Sequence, residues 1–143
     1  MLKKSIKYID FNGEEQTDEC YFNLSKNELT EMEMSEKGGF QNYISKIVEE
    51  KDNKKIYALF KEIVLSSYGE KSADGRSFIK KKIIDGETIR LRDEFEQTAA
   101  FDELMMELIG SDEQTIADFI SKIVPQELAN EMAKTQIVQK PEA

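Results

Sequence analysis

YFNLSKNELTEMEM, residues 21–34, is where an extended run hands over to a helix, and both sides of the junction can be read from the residues. Tyr21, Phe22 and Leu24 are bulky or aromatic and suit a half-buried strand, while the Ser25 hydroxyl is placed to accept from a free amide of the first helical turn. Glu28, three residues on, completes a capping box, and Leu24 can reach Leu29 as a hydrophobic staple that sets the entry angle of the chain. The junction predicts a strand-to-helix hinge. Capping by itself carries no functional message, and a well-capped helix start is the simpler reading.

Upstream, residues 6–11 and 16–24 are two extended candidates flanking Asn12-Gly13, a dipeptide that tolerates the positive φ angles of a tight turn. An N-terminal β-hairpin follows. A two-residue turn sets Phe11 opposite Glu14 and Lys7 opposite Asp18, a cross-strand charge pair.

Downstream, the capped helix runs from Lys26 to about Glu36 and breaks at Gly38-Gly39. Phe40, Tyr43, Ile44, Ile47 and Val48 then form one helical stripe, interrupted at Asp52-Asn53. Ile56, Leu59, Phe60, Ile63, Val64, Ser67 and Tyr68 repeat the spacing and mark a central core helix, with Gly69 where a C-cap glycine belongs. Residues 69–77 read as polar loop, and Asp85-Gly86 within residues 78–91 admits a second small hairpin.

Asp93 or Thr98 can cap the next helix, whose inner face carries Phe101, Leu104, Met105, Leu108 and Ile109 up to Gly110. Ser111 and Gln114 form a second capping box ahead of Ile116, Phe119, Ile120, Ile123 and Val124. Pro125 stops that helix and begins a last short one with Leu128 and Met132. The expectation is an α+β fold, mostly α: the N-terminal hairpin followed by about five amphipathic helices, with room for the second hairpin. Residues 1–134 are expected to form a single domain and residues 135–143, which lack periodicity, a disordered tail.

At 143 residues, 39% of them hydrophobic, the chain has the size and composition of one domain with a core. The net charge of −9 disfavours nucleic acid and anionic membranes as partners. A lone cysteine, Cys20, forms no internal disulfide and reads as a small buried hydrophobe in a protein of a reducing compartment. No apolar run reaches signal-peptide or membrane-span length, so a soluble intracellular protein is expected.

There is no histidine, which removes the commonest general base and most zinc sites, and neither nucleotide-binding glycine signature is present. Glu70, Ser72, Asp74 and Gly75 imitate the start of a calcium loop, but Lys81 stands where the closing carboxylate belongs. Glu31 and Glu33, or Asp93, Glu94 and Glu96, read as solvated faces rather than an acid–base pair. Catalytic residues, cofactor and metal are all expected to be absent.

Two features point outward. Arg76, Lys80, Lys81, Lys82, Arg90 and Arg92 face only Asp85 and Glu87 in residues 76–92, a basic segment on an acidic chain. It can dock an acidic partner helix or another copy of the chain, or simply guard a strand edge. Met32, Met34, Met105, Met106 and Met132 are adaptable side chains suited to core filling or to helix-binding surfaces. Adjacent Met105 and Met106 cannot both face the core, so one of them is a candidate contact.

Taken in order, FNG, YFNLSKNEL, the Gly38-Gly39 break, SYGEKSADGRSF, FEQTAAFDELMMEL and FISKIVP resemble the tail assembly chaperones of long-tailed bacteriophages and prophages of Gram-positive hosts. Lys80 to Leu91 has no close counterpart. The resemblance implies a non-enzymatic protein of the host bacterial cytoplasm that coats the tape measure protein, keeps it soluble and assists assembly of tail tube subunits. It further implies self-association and a longer frameshifted form that binds the tube protein. Candidate partner-binding residues come from the stripes: Phe40, Tyr43 and Ile47, with Phe101, Met105 and Met106. The alternative is a small acidic regulator or inhibitor that occupies a host protein's basic groove by charge mimicry.

Overall fold

The structure, a computed structural model, describes residues 1–35, 53–111 and 113–125. Its elements are β1 (Leu2–Ile9), β2 (Glu15–Phe22), α1 (Lys26–Ser35), α2 (Asn53–Ser67), β3 (Tyr68–Lys71), β4 (Phe78–Ile79), β5 (Lys81–Ile84), β6 (Glu87–Arg90), α3 (Leu91–Phe95), α4 (Ala99–Ile109) and α5 (Glu113–Ile123). Strands β1 to β4 form one antiparallel sheet in that order, and β5 and β6 a separate two-stranded one.

The fold is therefore not mostly α: six strands accompany five helices among the described residues. The correction comes from residues 68–79. Helix α2 passes without a loop into β3, where Tyr68 pairs with Phe22 and Gly69 with Tyr21. Glu70 and Lys71 then pair with Ile79 and Phe78 of β4. YGEK has neither alternation nor β-branched residues, so tertiary pairing rather than local propensity makes it a strand. Gly69 is no C-cap. A Cβ there would sit 2.5 Å from the Phe78 ring and 2.7 Å from the Ile79 carbonyl oxygen, so the position serves close approach.

The N-terminal hairpin forms, one residue out of the expected register: Ile9 faces Glu15, Lys7 faces Thr17 and Ile6 faces Asp18. Its loop turns through Gly13 at φ 80°, with the Gly13 amide on the Asp10 carbonyl at 3.0 Å. Asp10 Oδ1 accepts from the amides of Asn12 and Glu14, both at 2.9 Å. The shift has a packing reason. It puts Leu2 and Lys4 across from the core-facing Phe22 and Cys20, whereas a two-residue turn would set Lys3 and Ser5 there. The second hairpin forms at Asp85-Gly86, whose φ angles of 52° and 79° fit a two-residue turn.

Phe22, fully buried, is the centre of the core. Its ring meets Tyr68, Phe95 and Phe119 edge-on at 5.8, 6.0 and 5.6 Å, and Tyr68 stacks on Phe95 at 4.0 Å. Leu24, Leu29, Ile63, Val64, Leu104, Met105, Ile120 and Ile123 are among the residues packed with it. The junction after β2 is held by helix ends. Asn23 donates its amide to the Ser67 carbonyl of α2, and Leu24 to the Ile123 carbonyl of α5, both at 2.7 Å. Two carbonyls that a helix C-terminus leaves open thereby find donors. The helix expected from Phe40 and the segment after Pro125 lie outside the described residues.

Candidate functional site

The capping box expected at the junction is complete. Glu28 donates its amide to Ser25 Oγ at 3.1 Å, and Glu28 Oε1 accepts the Ser25 amide at 2.8 Å. The other carboxylate oxygen, Oε2, accepts from Lys80 Nζ at 2.6 Å. Lys80 also donates to the Asn23 and Ser66 carbonyls at 2.7 and 2.8 Å, so its ammonium, which has three protons to give, has three acceptors. Its burial pulls the Lys80 pKa down, and Glu28 opposes the shift. This lysine, placed between β4 and β5, ties the second hairpin to the strand-to-helix junction and to the end of α2.

Two arginines extend the anchorage. Arg92 grips Glu62 of α2 through two nitrogens at 2.7 and 2.9 Å, which holds the Glu62 carboxyl below its ordinary range. Arg90 makes a two-pronged contact with Asp93 at 3.0 Å. Around these groups lies an open cleft of about 720 Å³, whose lining includes Asn23, Ser66, Phe78, Lys80, Lys81 and Arg92. Its cations are mostly matched within the chain. The arrangement positions a hairpin rather than a reacting group.

The described carboxylates offer no raised acid. The resolved shifts among described carboxyls all run downward: Asp10 through Gln16, Glu62 through Arg92, and Asp74 through the Arg76 amide. The loop that imitates calcium ligation is closed on itself, with Ser72 Oγ donating to Asp74 at 2.7 Å and accepting the Ser77 amide at 3.0 Å. No group of carboxylates and thiol among the described residues could hold a metal ion. No helix among them is long and apolar enough to cross a membrane.

The apolar surface is more informative. Of the candidate contacts, Phe101 and Met105 are buried in the core, whereas Met106 is 59% exposed. Phe40, Tyr43 and Ile47 lie outside the described residues. Ile109, expected on the inner face of α4, is exposed beside Met106. Thr98 caps α4, accepting the Phe101 amide at 3.1 Å. The Ser111 hydroxyl instead donates to the Leu108 carbonyl, and Gln114 turns to Asp118 rather than back to Ser111.

Other exposed apolar residues escaped the sequence reading, among them Phe11 at the first hairpin's tip, 87% exposed, and Ile83 and Ile84 at the second's, with Ile83 at 77%. For the isoleucines a signal existed. On a two-stranded ribbon adjacent residues point to opposite faces, and no further strand is there to cover both.

A protein-family model described as phage tail assembly chaperone matches residues 1–143. No curated protein and no solved structure matches the chain.

Proposed function

The chain belongs to the phage tail assembly chaperone family, and from that premise we propose that it binds the tape measure protein, keeps it soluble and assists tail tube assembly in the host bacterial cytoplasm, without catalysis. The family match over the whole chain carries this reading. Apolar side chains left exposed at the surface support it, Phe11 at the first hairpin's tip, Ile83 and Ile84 at the second's, and Met106 and Ile109 on α4 among them: they offer apolar area to a partner and to neighbouring copies. Such a partner offers many equivalent segments, so several copies of the chain bind it and associate with one another. The tail tube protein is reached through a longer form of the chain.

Co-expression with the tape measure protein encoded in the same genome, followed by size-exclusion chromatography with light scattering, tests the reading. The expected result is a soluble complex carrying many copies of this chain. A tape measure protein that aggregates regardless, with no association, refutes it.

A further inference from the structure

The second hairpin and helix α4 present surfaces of opposite character. In β5–β6, Lys82 pairs with Glu70 at 3.1 Å and stands across from the half-buried Ile89, so that face turns toward the body of the protein. The other face carries Lys81, Ile83, Thr88 and Arg90, all exposed. Lys81 has no ion pair among the described residues, and Ile83 stands out at the ribbon's tip. A strand guarded only against edge pairing needs the lysines and not an isoleucine fully in water. On α4, Met106 and Ile109 are exposed and rimmed by Asp102, Glu103 and Glu107, with no basic residue in the helix. Glu107 pairs with Lys4 at 3.1 Å, and Asp102 and Glu103 have no ion pair among the described residues.

We propose that these surfaces bind each other between neighbouring copies, the Lys81–Ile83–Arg90 face of one chain lying on the Met106–Ile109 side of α4 of the next. Charge complementarity selects the occupant: on this face Arg90 is tied to Asp93 and Lys81 is the cation without an ion pair among the described residues, and an apolar pair with an acidic rim is present on that same chain of net charge −9. Because the two patches differ, the contact is heterologous. Each copy added leaves one patch of either kind free, so association proceeds head to tail beyond a pair. The inference rests on the self-association proposed above and assigns it a surface and a direction.

Sedimentation velocity on the purified full chain, over a range of concentration and salt, tests it with two variants. Lys81→Glu/Ile83→Ser disables the hairpin face and Glu103→Lys/Met106→Ser the helix face; all four side chains are exposed, and circular dichroism checks that the fold persists. The wild type is expected to form oligomers that grow with concentration and weaken with salt. Each variant alone associates at least ~10-fold more weakly. Their equimolar mixture forms a pair that does not grow, since one intact patch of each kind remains. A wild type that stays monomeric throughout removes self-association itself and leaves tape measure binding to be judged by co-expression. Oligomers unchanged in both variants, or a wild type that stops at a two-fold dimer, overturn the assignment of these surfaces alone.

Discussion

Lys80 Nζ lies 2.6 Å from Glu28 Oε2, joining a residue between two short strands to the capping box of a helix far earlier in the chain. The pair is partly shielded from water, and the same ammonium satisfies two backbone carbonyls. Lys80→Met leaves all three acceptors without that donor, and a loss of about 2–3 kcal/mol is expected from the urea midpoint. Lys80→Arg is not expected to rescue, because a planar fork cannot reach three acceptors arranged around a point.

Gly69→Ala places a methyl against the Phe78 ring and the Ile79 carbonyl. The backbone oxygen cannot swing aside as a flexible side chain would, so β3 and β4 must separate. Thermal unfolding should register a loss of about 1–3 kcal/mol. An unchanged melting temperature would show that the two strands are not held at the described spacing.

Glu62 titrates below its ordinary range because Arg92 donates to both carboxylate oxygens. A lowered folded-state pKa means that the contribution is present above the unfolded carboxyl value and is lost as pH falls through the folded one. Between about pH 5 and pH 3 the wild type should lose stability more steeply than Glu62→Gln. With the Glu62 side chain about half open to solvent, the difference stays under about 1 kcal/mol. Parallel stability curves would remove the assignment.

Cys20 is buried in β2, and that burial, with the Asp18 charge, pushes its thiol up to about 11. A thiol reagent at neutral pH should leave the native protein unmodified and label it stoichiometrically in denaturant. Rapid native labelling would place Cys20 at the surface.

What could be read in advance divides by the range of the forces involved. The Ser25–Glu28 box, the Thr98 cap and the Asp85-Gly86 turn are local chemistry, and each is found as the neighbouring residues dictate. The Phe60, Ile63 and Val64 stripe was equally plain, since burial on one helix face needs only the 3.6-residue period. The hairpin register was missed by one residue because Asp10, not Asn12-Gly13 alone, organises the loop. Strand β3 was invisible because what makes YGEK extended is pairing with Phe22, distant in sequence, and with Phe78 across a polar, glycine-containing loop. At the surface, the contrast of Met105 with Met106 followed from helix geometry, while the exposure of Ile109 depends on where α4 ends against its neighbours.

The Leu24 amide and the Ile123 carbonyl meet across nearly the whole described chain, and this imposes an order on synthesis. The first hairpin and α1 emerge from the ribosome early and Asn23 finds its acceptor once α2 is made, but the Leu24 amide has no acceptor until the end of α5 has been made. Phe22 likewise waits for Phe119. The nascent chain therefore carries an open apolar seam through most of its translation, and its core closes only once α5 has emerged. A chain stalled before α5 should be cut at the junction by protease, and one stalled well beyond it should resist.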